Sequence, residues 1–251
     1  MKKVKIINFL INPITMNQLI NKIKLWRNFK NKSHYICISS VHGCIESYFD
    51  KNFKKAHNAA DIAVPDGRPI YWALRILGSN KAQHLPGYLV TKKICELANE
   101  RNFKIGLYGS TLKNQNFFIK SIKRKYNKID FSYQYSPPFR KLSKLEKKKI
   151  QKSINKSNID ILFVVLGAPK QDMWMHENKN KLKCVMVGIG AAMDFISGNK
   201  ILPPKILEYM GLAWLFRLMA EPRRLFWRYF SIIFIFIFLF LLQITGLKKF
   251  K

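Results

Sequence analysis

Ile159-Asp160-Ile161-Leu162-Phe163-Val164-Val165-Leu166-Gly167-Ala168-Pro169-Lys170-Gln171 is the stretch that decides the fold. From Ile161 to Leu166 every residue is apolar, with no polar alternation. A strand of that kind is buried on both faces, as in a parallel sheet covered by helices. Gly167 permits a tight turn and Pro169 suits the first position of a helix, so the strand runs directly into a helix.

The same grammar repeats on either side. Tyr35–Ser40, Ile62–Pro65, Lys104–Tyr108 and Cys184–Ile189 read as apolar strands, with further strands over Val4–Phe9 and Ile129–Tyr135. Between them fall helical patterns: Thr15 to about Asn28, a stretch through Phe49, Arg68–Leu77, Tyr88–Arg101, Leu112–Tyr126, Lys144–Ser157 and a helix from about Pro169. Strands alternating with helices predict an α/β fold, a Rossmann-like, mostly parallel sheet with helices on both faces. Ligands of such sheets bind beyond the C-terminal strand ends. The segments to inspect are therefore 39–42, 65–68, 109–111, 167–171 and 188–194.

After Asn199 the texture changes. Pro203-Pro204 breaks the pattern, an Arg-bearing amphipathic stretch runs to Arg228, and 229–247 carries no formal charge. The expected domains are an α/β core, 1–199, and a C-terminal helical appendage, 200–251, whose segment 229–247 associates with a membrane. A spanning helix needs roughly 20 apolar residues, so this run either spans, lies in the interface or packs on a protein surface. Deletion of 229–251 is expected to release the protein from membranes and spare most of the fold.

The chain has 251 residues, 48% of them hydrophobic, which excludes whole-chain disorder. Cys37, Cys44, Cys95 and Cys184 form no CxxC pair, which argues against a zinc site or a disulfide framework. The N-terminal stretch, with its short interrupted apolar run, is expected not to be a signal peptide. The net charge is +31 and the pI about 10.1. Scattered lysines paint solvated faces; alternatively the charge attracts a polyanion. The ten arginines are more informative, because four of them lie between 217 and 228, and guanidinium groups fork phosphates well.

Asp66, in Val64-Pro65-Asp66-Gly67-Arg68, stands at a strand end and a helix start. It either caps the helix or takes a proton from an incoming hydroxyl. The helix start at Lys170 offers exposed N–H groups and a cation to an anion. Gly188–Asp194 fails the dinucleotide fingerprint at Met193, and neither a P-loop nor a DxD pair occurs. The five histidines, 34, 42, 57, 84 and 176, show no metal-ligand spacing. Arg217, Glu221, Arg224 and Arg228 recur at helical spacing, with Arg223 adjacent.

Taken in order, these segments resemble the WecG/TagA/CpsF family of glycosyltransferases. The resemblance rests on Val41-His42-Gly43, Pro65-Asp66-Gly67-Arg68-Pro69, Leu85-Pro86-Gly87 and Leu107-Tyr108-Gly109. It continues through Leu166–Gln171, Val187–Gly190 with Asp194-Phe195, Gly211–Trp214 and Glu221-Pro222-Arg223-Arg224-Leu225. It implies inverting transfer of an N-acetylmannosamine-like sugar or its uronic acid from a UDP-sugar donor. The acceptor is a polyprenyl-diphosphate-linked glycan at the cytoplasmic face of the membrane, in cell-surface polysaccharide synthesis. By the same match Asp66 is the catalytic base, Ser39 lies near an active-site threonine of the family, and Gln171 belongs to a sugar-nucleotide loop. Arg217, Arg223 and Arg224 belong to the appendage that completes the site. Arg68, Gly109, Lys170 and Asp194 are further substrate-binding candidates within matched segments.

The chain departs from the family pattern at Ser39-Ser40-Val41-His42, where a Thr-x-Asn is usual and His42 stands in as the polar partner, at Ala213 for a common Glu, and at Leu202. No cofactor and no metal are expected, since helix N-termini and Arg or Lys would balance the departing diphosphate. An anionic membrane surface and a second copy, as a homo-oligomer, are the other expected partners. The alternative is a basic nucleic-acid-binding or RNA-modifying protein, which explains the pI but not 229–247 and lacks any known RNA-binding pattern. A purely structural membrane-anchored protein explains the tail but not Asp66.

Overall fold

The chain opens on a hairpin, not on the single strand expected over Val4–Phe9. In the computed structural model, which describes residues 2–28 and 32–250 and only the backbone of Arg224 and Arg228, β1 (Val4–Ile6) pairs antiparallel with β2 (Phe9–Ile11). The turn residue Ile7 sits at φ 58°, which a β-branched residue rarely adopts. Tertiary partners hold it there. Ile7 is fully buried, its N–H donates to Gln243 Oε1 at 2.5 Å, and Asn58 Nδ2 donates to the Asn8 carbonyl at 2.9 Å.

In chain order there follow α1 (Met16–Asn28), β3 (His34–Ser39), α2 (Val41–Phe49), α3 (Lys51–Asn58), β4 (Ile62–Pro65), α4 (Arg68–Ile76), α5 (Gly87–Arg101) and β5 (Lys104–Gly109). Next come α6 (Leu112–Lys123), β6 (Asp130–Tyr135), α7 (Lys144–Lys156), β7 (Ile161–Val165), α8 (Lys170–Asn178) and β8 (Val185–Gly188). The chain ends with α9 (Ala192–Ser197), α10 (Lys205–Tyr209), α11 (Ala213–Ala220) and α12 (Pro222–Ile244). Helix α3 was not expected; Asp50 caps it by accepting from the N–H groups of Asn52 and Phe53.

The fold is α/β, with six strands in the order β4-β3-β8-β7-β5-β6. Pairing is parallel from β3 through β8, β7 and β5 to β6, with Ile161 opposite both Ile105 and Val185. Strand β8 is buried throughout and β7 at all but its last residue, as continuous apolar runs demand. Edge strand β6, Asp-Phe-Ser-Tyr-Gln-Tyr, alternates exposed and half-buried residues instead.

The chain forms two compact units from interleaved segments. One comprises the segments up to Thr15, Ile38–Pro86 and from Ile201 onward; the other comprises Met16–Cys37 and Gly87–Lys200. In the second, α1 buries Leu19, Ile20 and Ile23, and Phe118 of α6 meets Phe163 edge to face. The lysines of α7 stay at the surface while Ile150 and Ile154 point inward, so that basic stretch is a solvated face.

In the first unit the apolar tail is part of the core. Phe236, Leu239 and Phe240 of α12 are buried with Ile6, Ile7, Phe9, Cys44, Phe53 and Leu74, and Ile232, Ile235 and Leu242 pack beside them. Gln243 straps the helix to the hairpin, accepting from Ile7 N–H and donating to the Lys5 carbonyl at 2.8 Å. Lys248 reaches the Tyr48 hydroxyl at 2.8 Å. Deleting residues 229–251, expected to spare most of the fold, would remove these side chains from the core. Only one face docks, however: Phe230, Phe234, Ile237, Phe238 and Leu241 are exposed. A second correction concerns the arginines. Pro222 has no N–H and biases Glu221 away from helix, to φ −138° and ψ 61°, so Arg217 lies in the last turn of α11 while Arg223 lies in the first turn of α12.

The two faces of α12 should respond differently to truncation. Phe236→Ala should destabilise the protein by about 3–5 kcal/mol, as for a buried phenylalanine. Phe238→Ala, on a side chain 62% exposed, should stay within about 0.5 kcal/mol. Urea denaturation in mild detergent measures both.

Candidate active site

Two strands of the second unit diverge in their connections. From β5 the chain crosses through α6 to β6 on one side; from β7 it crosses through α8 to β8 on the other. A crevice opens where adjacent parallel strands part in this way, and ligands lie there. Its walls are the ends of β5 and β7. Gly109 closes β5 at φ 101°, and a Cβ there would lie 2.5 Å from the Val165 carbonyl oxygen. Gln115 braces this end, donating from Nε2 to the carbonyls of Gly109 at 2.7 Å and Tyr135 at 2.9 Å. Thr111 caps α6 by accepting from Asn114 N–H.

Beyond β7 the Ala168–Pro169 peptide is cis, and Pro169 takes the N-cap of α8 instead of its first turn. Lys170 is exposed at the helix start. Gln171 turns the other way and is only 3% exposed. It packs on β8, where a Cβ on Gly188 would come within 2.8 Å of its Nε2. Its Oε1 is buried and has no hydrogen-bond partner among the described residues, an acceptor poised for a donor. Asp194, in the first turn of α9, is engaged by Lys200 at 3.5 Å. Gly109, Lys170, Gln171 and Asp194 thus all sit at ends of strands or starts of helices within one unit.

The first unit holds the carboxylate. Asp66 follows β4, and its N–H donates to the Ser39 carbonyl at 3.0 Å. The N-cap position of α4 is taken by Gly67, which places Asp66 one residue before the helix. Leu85 N–H donates to the Pro65 carbonyl at 2.9 Å, and His84 Nε2 lies 2.5 Å from the Asp66 carbonyl oxygen. A carbonyl only accepts, so Nε2 carries the proton. Burial first, and then the Arg68 guanidinium, push the His84 imidazole down to about 4, against the raising effect of its bond to Asp66.

Arg68 lies at the start of α4. Its guanidinium sits over the Tyr209 ring, 4.5 Å from the centroid, and 5.8 Å from that of Tyr71. Tyr209 comes from α10, so the appendage reaches within two residues of Asp66 along the chain. Ser39 is buried with its Oγ 3.2 Å from His57 Nε2, and that imidazole stacks on Phe9. Its hydroxyl therefore serves the core, while its carbonyl serves Asp66. His42 occupies the first turn of α2, whose cap is Ser40. Arg217 is half-buried on α11 and Arg223 exposed on α12; the side chain of Arg224 lies outside the described residues. His84 and Tyr209 escaped the reading of the sequence, since a lone histidine and an exposed tyrosine carry no spacing signal.

These features define a parallel α/β protein with its ligand groups on loops leaving the strand ends. Across residues 4–250 the chain matches the Glycosyl transferase WecG/TagA/CpsF family, and it belongs to that family. It is a glycosyltransferase. A Staphylococcus aureus protein named N-acetylglucosaminyldiphosphoundecaprenol N-acetyl-beta-D-mannosaminyltransferase is 26% identical over 228 residues, covering 89% of this chain and 87% of that one. A Bacillus spizizenii protein of the same name is 24% identical over 200 residues, 79% of this chain and 75% of its own. The Bacillus subtilis protein of that name is 26% identical over 176 residues, 70% and 67% respectively.

The crevice wall makes a stability prediction. Gly109→Ala combines a left-handed backbone with a carbonyl clash and should cost about 2–4 kcal/mol. Gly167→Ala, at φ 74° with nothing within 4 Å of the new methyl, should cost only about 1–2 kcal/mol. Urea denaturation of the two variants tests the contrast.

Proposed function

We propose that this glycosyltransferase moves an N-acetylmannosamine-type sugar from a UDP-sugar to a polyprenyl-diphosphate-linked N-acetylglucosamine, with inversion. The names of the three relatives support the two sugars and the lipid carrier. The observation that carries the chemistry is the place of Asp66, a carboxylate in the loop between the end of β4 and the start of α4. Asp66 takes the proton of the acceptor hydroxyl as that oxygen attacks the anomeric carbon. The new C–O bond forms, the bond to the diphosphate breaks, and UDP leaves with the electron pair. Lys170 and the N–H groups opening α8 receive diphosphate charge, and the Gln171 Oε1 accepts a donor from the bound nucleotide sugar. Arg217, Arg223 and Arg224 serve the acceptor diphosphate, in an appendage running from about residue 200.

Asp66→Asn should lower kcat by about 10²–10⁴-fold, the usual worth of a general base, and leave UDP affinity by calorimetry unchanged. Near-normal turnover with a lipid-linked acceptor would overturn the assignment.

The reading extends to the membrane. Helix α12 lies in the plane of an anionic leaflet with its docked face on the protein and its open face in lipid. A spanning helix would have to give up the Gln243 strap and the burial of Phe236 and Phe240. Trp227 and Tyr229 suit the interface, and basic residues stand in the first turn of the helix at Arg223 and beyond its end at Lys248 and Lys249. The protein should sediment with anionic vesicles and be released by alkaline carbonate. Replacing Phe234 and Phe238 together by Glu should lower partitioning more than about tenfold without unfolding, since each buried phenylalanine contributes about 1.5–3 kcal/mol. Retention after carbonate, or unchanged partitioning of the double variant, would refute the in-plane placement.

A further inference from the structure

We propose that His84 is a positioning residue for Asp66, aiming its carboxylate by holding the backbone on its C-terminal side. The proposal rests on the reading of Asp66 as the base. The direction of a side chain is set by the two peptide planes that flank its Cα. The plane before Asp66 is held by backbone at both ends: Asp66 N–H to the Ser39 carbonyl at 3.0 Å, and the Pro65 carbonyl from Leu85 N–H at 2.9 Å. The plane after it is held through the Asp66 carbonyl by the His84 side chain, Nε2 to O 2.5 Å. Gly67 comes next and has no side chain to restrain the turn. With both planes fixed, φ and ψ of residue 66 are fixed, and the Cβ direction with them.

His84 is itself well anchored. Gln83 N–H donates to the Ile14 carbonyl at 3.2 Å on one side, and Leu85, fully buried, is tied to Pro65 on the other. The Tyr71 ring lies 6.2 Å from the imidazole, and the Arg68 guanidinium faces it electrostatically. Next to that cation the ring stays neutral at physiological pH, with its proton on Nε2 where the carbonyl needs it. A neutral imidazole donating to a backbone carbonyl does not act as a cation for phosphate, so its contribution passes through Asp66.

The test compares His84→Leu, which removes the donor, with His84→Gln, which keeps an N–H at similar reach. His84→Leu should lower kcat on the order of 10²-fold, the scale of a displaced reacting group, with the donor KM within about twofold of wild type. His84→Gln should recover most of the loss. In an Asp66→Asn background His84→Leu should have no further effect. If His84→Leu turns over normally beside an inactive Asp66→Asn, the positioning role is wrong and the base stands. If Asp66→Asn itself turns over normally, the base reading fails and His84 loses its role with it. A raised donor KM in both His84 variants, or a further loss in the Asp66→Asn background, overturns the proposal in favour of direct ligand contact. Should His84→Leu fail to fold, ¹⁵N spectra of the wild-type histidines decide. The expected result is a neutral Nε2–H tautomer for His84 persisting to pH 5; an Nδ1–H tautomer or titration near 6.5 refutes it.

Discussion

A parallel strand cannot turn straight back into its neighbour; each must be followed by a crossover, here a helix. That constraint organises the molecule. It requires helices on both faces, which makes β7 and β8 continuously apolar, and it places a strand-to-helix loop after each of β3, β4, β5, β7 and β8. The candidate site residues outside the appendage, His84 apart, lie on or beside those loops. The glycines there follow from the same geometry. Gly109 ends its strand so close to the Val165 carbonyl that any side chain would collide, and Gly188 leaves room for Gln171 to lie against the sheet.

The appendage is tied to the α/β framework of its own unit at both ends. Near its start Tyr209 lies on the guanidinium of Arg68, two residues from Asp66. Near its end Gln243 grips the hairpin at Ile7 and Lys5. Between them α12 contributes aromatic side chains to the core while presenting others to the outside. A helix that is both part of the core and open on its far face joins an apolar surface to the unit that carries Asp66.

Much of the fold was legible because period and punctuation agreed. The strands expected over Tyr35–Ser40, Ile62–Pro65 and Lys104–Tyr108, and the helices between them other than α3, fall within a residue or two of the expected bounds. The misreadings have physical causes. Val4–Phe9 looked like one strand because Ile7 is a strong strand former; its left-handed turn is stabilised by Gln243, more than 230 residues away. The arginine series looked like one helix because periodicity outweighed Pro222, which in fact divides α11 from α12. Of the candidate site, Asp66 and the Gly167–Gln171 loop could be found from type and position. His84 could not, because its role depends on a carbonyl that only folding brings to it.

By itself the sequence determined the layered α/β architecture, the loops that carry chemistry and the presence of a helix apolar enough for lipid. Apolar runs and glycine–proline punctuation act locally, and local signals survive in a linear reading. Tertiary structure alone decided which face of α12 is core and which is open, since a helix apolar all round has no amphipathic stripe to read. It also decided that Gly67 takes the N-cap position of α4, and that His84 meets the Asp66 carbonyl. Each of these is a choice among partners distant in sequence, made by shape and by the need of buried polar groups for hydrogen bonds.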